Sequence, residues 1–119
     1  MMKKILVVDD ELLLRDVLHD HLSNQGYEVI MAGDAQKALE VSQINKPHLA
    51  LVDIKLPNES GIELTVKLKN LYPELIIIIM TGYPSLDTAV EAMKNGASEY
   101  IIKPFRLAEL NKMIKKHIE

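Results

Sequence analysis

Short, almost purely apolar runs alternate with longer segments of helical periodicity from one end of the chain to the other, and few architectures accommodate that rhythm. A strand without a polar face must be covered on both sides, and in a strand-helix-strand succession that means a parallel sheet with helices on each face. The runs are Lys4 to Asp9, Tyr27 to Met31, His48 to Asp53, Leu75 to Met80 and Glu99 to Ile102. Right-handed crossovers between them give an α/β fold, an open, doubly wound, five-stranded parallel sheet between two layers of helices. Ligands of such sheets bind beyond the carboxyl ends of the strands, so those ends are where chemistry is expected.

The helical segments carry their own punctuation. The first, about Glu11 to Asn24, places Leu14, Val17, Leu18 and Leu22 on one face and stops at Gly26, which can take a left-handed conformation. Asp34 is expected to cap a second helix bearing Ala38, Leu39 and Val41, broken before Pro47. Ser60 and Glu63 have the spacing of a capping box for a third helix reaching about Leu71, and Pro73 prevents its continuation. Ser85 is expected to cap a fourth helix with Leu86, Ala89, Val90 and Met93 inward, ending at Asn95-Gly96. The fifth, Leu107 to His117, repeats Leu107, Leu110, Ile114 and Ile118 at helical spacing, and Lys112, Lys115 and Lys116 complement its dipole.

Composition narrows the function classes. A chain of 119 residues, 48% hydrophobic and 26% charged, is expected to form one domain over residues 1–119, with no effector domain after the fifth helix. It is then either a stand-alone unit or a unit cut from a longer protein. The absence of cysteine excludes disulfides and thiolate metal sites. The longest apolar run, Leu75 to Met80, is far short of the roughly 20 residues that cross a bilayer, and no apolar leader precedes the first strand, so a cytoplasmic location is expected. A net charge of -3 gives no footprint for direct nucleic-acid binding. The four histidines are scattered and form no metal pattern.

The polar residues at the strand ends are Asp9 and Asp10, then Asp53, then Thr81 and Gly82, then Lys103 and Pro104. If three carboxylates converge at about 5 Å, each like-charge pair costs on the order of 3 kcal/mol at an effective dielectric near 20. A cation is therefore required, and an all-oxygen set suits Mg²⁺, with Mn²⁺ or Ca²⁺ as substitutes. Asp53 offers an oxygen able to attack phosphorus in line. The cation and Lys103 can stabilise the transferring charge, and the Thr81 hydroxyl and the backbone amides of Ile54, Lys55 and Gly82 can bind phosphoryl oxygens. An Asp-Asp pair after a strand is also a common helix cap, so Asp10 is a candidate for both roles.

Four blocks then stand in order: Val-Val-Asp9-Asp10-Glu11, Asp53-Ile-Lys-Leu-Pro57-Asn-Glu-Ser-Gly61, Met-Thr81-Gly82 and Tyr100-Ile-Ile-Lys103-Pro104-Phe105. Through them the chain resembles, over essentially its whole length, the receiver domains of bacterial two-component response regulators. The resemblance implies the flavodoxin-like strand order 2-1-3-4-5 and a phosphoacceptor switch, not a conventional enzyme. Asp53 would be the phosphoacceptor, and Mg²⁺ would be held by Asp10, Asp53, the Lys55 carbonyl and, through water, Asp9. Lys103, joined to Pro104 by a cis bond, would pair with the phosphorylated aspartate. Thr81 and Tyr100 would be the switch residues that reshape the face of helix four, strand five and helix five. The implied partners are a histidine kinase or histidine phosphotransfer protein as donor and a downstream protein target, with the receiver a monomer or weak dimer.

Some residues keep two readings. Leu12 and Leu13, off the first helix's stripe, are either extra packing or a docking patch for the donor. Lys55 and Tyr83, each two residues beyond Asp53 and Thr81, are expected to shield a phosphoryl group from in-line water. Arg106 stands where a capping residue is usual, leaving the start of the fifth helix open. Three other functions compete for the same pattern. A phosphatase of the haloacid dehalogenase type needs an aspartate where Lys55 stands. A flavodoxin's phosphate would be repelled by Asp9, Asp10 and Glu11. A phosphorylation-independent interaction module of the same fold remains the alternative.

Overall fold

Each apolar run forms a strand. In the computed structural model, which describes residues 2–119, β1 (Lys4–Val8), β2 (Glu28–Ala32), β3 (Leu49–Asp53), β4 (Ile76–Thr81) and β5 (Glu99–Ile102) form one parallel sheet. The order is β2-β1-β3-β4-β5, as implied by the resemblance. Between the strands run α1 (Leu12–Asn24), α2 (Ala35–Ile44), α3 (Gly61–Leu71) and α4 (Leu86–Lys94), and α5 (Leu107–Ile118) follows β5. Strand limits shift by a residue from the sequence reading: Asp9 lies just beyond β1, and Thr81 closes β4 instead of following it.

The pleat sends successive strand side chains to opposite faces, and both faces are covered. Leu6, Val8, Ala50, Val52, Ile77 and Ile79 pack with α2, α3 and α4. Ile5, Val7, Leu49, Leu51, Ile78 and Met80 pack with α1 and α5. All twelve are fully buried, and each of the Val, Leu, Ile and Met side chains among them contributes about 1.5–3 kcal/mol relative to exposure. The inner strands therefore form a stiff platform, and what stands at their carboxyl ends is held in fixed register.

The expected caps are in place. Asp34 accepts the Lys37 N–H at 2.8 Å, Ser60 that of Glu63 at 3.1 Å and Ser85 that of Thr88 at 3.1 Å. Gly26 and Gly96 adopt φ of 96° and 108°, which a side chain would oppose. The fifth helix starts at Leu107, with Arg106 in the cap position making no side-chain bond.

Several expectations about facing residues fail. Val17, placed on the inner stripe of α1, is 43% exposed, because the helix contacts the sheet through the narrower ridge of Leu14, Leu18 and Leu22. On α4 the error is larger: Leu86, Val90 and Met93 face solvent, Leu86 at 79% exposure, and the only buried residue is Ala92. The small Ala92 side chain seats α4 against the core, turning the bulky stripe outward. Leu12 and Leu13 are exposed at 63% and 73%, so the extra-packing reading fails for both. Asp10 does not cap α1. Glu11 occupies that position without a side-chain bond, and it is Asp9 whose Oδ1 accepts the Glu11 N–H at 2.8 Å.

Candidate functional site

The sheet order makes a crevice between β1 and β3, because the chain leaves β1 toward one face and β3 toward the other. Asp9, Asp10 and Asp53 meet there. One carboxylate oxygen from each lies within 4.8 Å of the others. Asp9 is wholly buried, Asp53 is buried, and Asp10 is open to solvent. Lys103 arrives from the end of β5, its Nζ 2.6 Å from Asp9 Oδ2 and 3.1 Å from Asp53 Oδ2. Its backbone N–H donates to the Thr81 carbonyl at 2.7 Å, and its bond to Pro104 is cis.

One ammonium among three carboxylates leaves the cluster short of positive charge. The Asp53 carboxyl is accordingly held above the ordinary aspartate value, first by burial and then by the charge of Asp9, with Lys103 opposing. Burial alone would lower the Lys103 ammonium, but the hydrogen bond and charge of Asp9, followed by those of Asp53, outweigh it and push it up. Lys103 therefore stays charged. A set of oxygen donors converging within a few ångströms, with one side open at Asp10, can hold a divalent cation.

A small cavity of about 280 Å³ opens beside the cluster, lined by Asp10, Glu11, Asp53, Lys55, Tyr83 and Lys103. The Lys55 ammonium lies 4.1 Å from the centroid of the Tyr83 ring, bridging the loops after β3 and β4. The Lys55 N–H points to Asp53 Oδ1 at 3.3 Å. That of Ile54 does not face the site: it is donated to the Met80 carbonyl at 3.1 Å, so Ile54 drops out of the expected phosphoryl-binding amides. A β-carbon on Gly82 would meet nothing within 4 Å, leaving its backbone approachable. Thr81 is buried, and its Oγ1 accepts the Tyr83 N–H at 3.0 Å. Half-buried Tyr100 lies apart from the carboxylates, with its hydroxyl 3.1 Å from Thr88 Oγ1.

Gly61 is the residue that sequence reasoning missed. A β-carbon there would stand 2.1 Å from the Asp53 carbonyl oxygen and 3.0 Å from Ile54 Cα. Its N–H donates to the Ile54 carbonyl at 2.7 Å, and Lys55 pairs with Ser60 across the turn. The start of α3 is thus pressed against the backbone that carries Asp53. The signal was a glycine just inside a capped helix, where it is intrinsically unfavourable and needs a packing reason.

Residues 5–115 match the response regulator receiver domain family. Sporulation initiation phosphotransferase F of Bacillus subtilis is 34% identical over 118 residues, which cover 99% of this chain and 95% of that protein. Among solved structures, a CheY-like response regulator receiver domain protein from Methanospirillum hungatei JF-1 superposes with a TM-score of 0.94 at 39% identity, covering 98% of this chain and 93% of the other. A response regulator from Burkholderia pseudomallei, solved with a phosphorylated aspartic acid, a calcium ion and citrate, gives 0.87 at 34% identity, covering 98% and 66%. Other curated relatives are longer, and this chain spans between about a quarter and about half of their length. A match over nearly the whole chain, on a doubly wound sheet with an acidic cluster at its switch point, places the protein in the response regulator receiver domain family.

Proposed function

We propose that the protein is a Mg²⁺-dependent phosphoacceptor switch that takes a phosphoryl group onto Asp53 from a phosphohistidine of a kinase or phosphotransfer protein. The observation that carries this reading is the meeting of Asp9, Asp10 and Asp53 within 4.8 Å, with Lys103 bonded to two of them. Asp10, Asp53 and the Lys55 carbonyl, with Asp9 through water, would hold a divalent cation, which would supply charge neutralisation for the incoming group. An Asp53 oxygen forms the new bond to phosphorus as the P–N bond of the donor breaks, its electron pair returning to the imidazole. Lys103, already charged, moves its bond from the carboxylate to the phosphoryl oxygens, and the Lys55 and Gly82 amides supply further donors. Thr81 releases the Tyr83 amide to meet the same group, and Tyr100 responds, altering the face of α4, β5 and α5. That face already exposes Leu86, Val90, Met93 and Ile102, an apolar surface suited to a protein target. Leu12 and Leu13, exposed at the start of α1 near the acidic edge, suit the donor.

Incubation with acetyl phosphate and Mg²⁺, read by intact mass, tests the reading. One phosphoryl group is expected on the wild type and none on Asp53→Asn or without Mg²⁺. An unchanged mass, or an adduct that survives in Asp53→Asn, removes the proposal.

A further inference from the structure

We propose that the edge of the sheet opposite the acidic cluster holds a second binding site, a cavity for a small organic monoanion: one carboxylate on an apolar aliphatic or aromatic body. The inference goes beyond the phosphoacceptor reading and does not depend on it. β3 spans five residues, so this edge lies about 15 Å from Asp53.

A cavity of about 680 Å³ opens where the chain enters β1, β3 and β4 and leaves α5, within the roughly 300–1,000 Å³ usual for small-molecule sites. Pro47 and Leu75 are buried, and Tyr72, Ile76 and Ile118 half-buried, along its walls. The charged lining is exposed: Lys3 and Lys46 against Glu74. His117 also lines the cavity but is engaged with Glu99 at 2.8 Å. Among the described residues neither lysine forms an ion pair. Nor do the nearby carbonyls claim them, because Lys69 donates to that of Pro73 at 2.6 Å and that of Leu75 at 3.0 Å.

His48 adds a donor whose proton the backbone fixes. Its own backbone is held between β1 and β4, giving its N–H to the Lys4 carbonyl at 2.9 Å and taking the Ile76 N–H at 3.3 Å. Its ring Nδ1 accepts the Lys4 N–H at 3.0 Å, so the neutral ring carries its proton on Nε2. Among the described residues that N–H has no acceptor, and His48 lines the cavity. Two ammoniums against the one carboxylate of Glu74 leave a single positive charge. One carboxylate neutralises it, whereas a phosphate dianion overshoots. A bare inorganic anion gains nothing from the apolar walls, so the ligand needs a hydrocarbon body that displaces water from them.

Titration of the full chain with octanoate, followed by amide NMR, tests the site. Saturable shifts are expected at Lys4, His48, Leu75 and Ile76. Octanamide, which keeps the body and loses the charge, should bind about fivefold or more weakly, and octyl phosphate no more tightly than octanoate. Lys3→Gln and Lys46→Gln should each weaken octanoate about two- to fivefold, the strength of an exposed ion pair, and added salt should weaken it too. Equal binding of octanamide, tighter binding of octyl phosphate, shifts that do not saturate, or shifts centred on Leu86, Val90 and Met93 of α4 overturn the proposal. So does octanoate binding that is unchanged in the double variant Lys3→Gln/Lys46→Gln. Phosphorylation by acetyl phosphate, measured separately, reports on Asp53 alone, so the two readings fail independently.

Discussion

At the scale of single residues, the site depends as much on what is missing as on what is present. Gly61 has no room for a methyl group beside the Asp53 carbonyl, so Gly61→Ala must push α3 off the strand end. A loss of about 3 kcal/mol or more is expected in urea unfolding, together with slower phosphorylation because Asp53 moves with its backbone. Lys55 and Tyr83 act at the mouth of the cavity, where the ammonium rests on the ring. Lys55→Ala and Tyr83→Ala should each speed loss of the phosphoryl group several-fold in a mass-based decay assay, and an unchanged rate in both would end the shielding idea. The chemical residues were legible because their types are rarely found together at strand ends. Gly61 was not, because its contact is with backbone distant from any sequence pattern, and Ile54 was misread because a strand continued its ladder one residue further than its apolar run suggested.

Among the elements, legibility followed packing. The strands were read closely because their apolar runs answer to burial on two faces, and the caps at Asp34, Ser60 and Ser85 because a side-chain acceptor at a helix start has a local reason. The facing of α4 was lost because periodicity gives a stripe and not its orientation. Leu86, Val90 and Met93 satisfy helical spacing as well on the outside as on the inside, and the seating by Ala92 is a tertiary choice. At the opposite end of β5, Glu99 accepts from His117 Nε2 at 2.8 Å and Lys116 Nζ at 3.1 Å, joining the strand to the last turn of α5. The His117 hydrogen bond, ahead of burial, which opposes it, and the Lys116 contacts, sets the Glu99 carboxyl below the ordinary 4.5. An acid lowered on folding adds stability above its unfolded value and loses it as pH falls through the folded one. Glu99→Gln should therefore lower stability by about 0.5–1 kcal/mol at neutral pH, and the gap to wild type should close below pH 4.5 in pH-dependent thermal melts.

For the molecule as a whole, the acidic cluster sets function against stability. Asp53 has its carboxyl raised in the fold, so the folded state holds that proton more tightly than the unfolded chain does. Stability from this group is greatest when it is protonated and falls as pH rises from its unfolded value through its raised one. Asp53→Asn should raise the melting temperature at pH 7 without metal, and the advantage should shrink as pH is lowered. Mg²⁺ should reverse the ranking: at a hundred times its Kd a ligand of the folded state adds about 2.7 kcal/mol, and the variant, lacking one carboxylate, should gain less. The four chemical side chains at this edge also come from widely separated stretches of chain, Asp9 after β1, Asp53 from β3, Thr81 from β4 and Lys103 after β5. A ribosome must release the chain through β5 before Lys103 can reach its carboxylates, and a protease that cuts ahead of β5 takes it away again. A nascent or clipped chain that stops short of β5 keeps the acidic residues but lacks the ammonium that pairs with them.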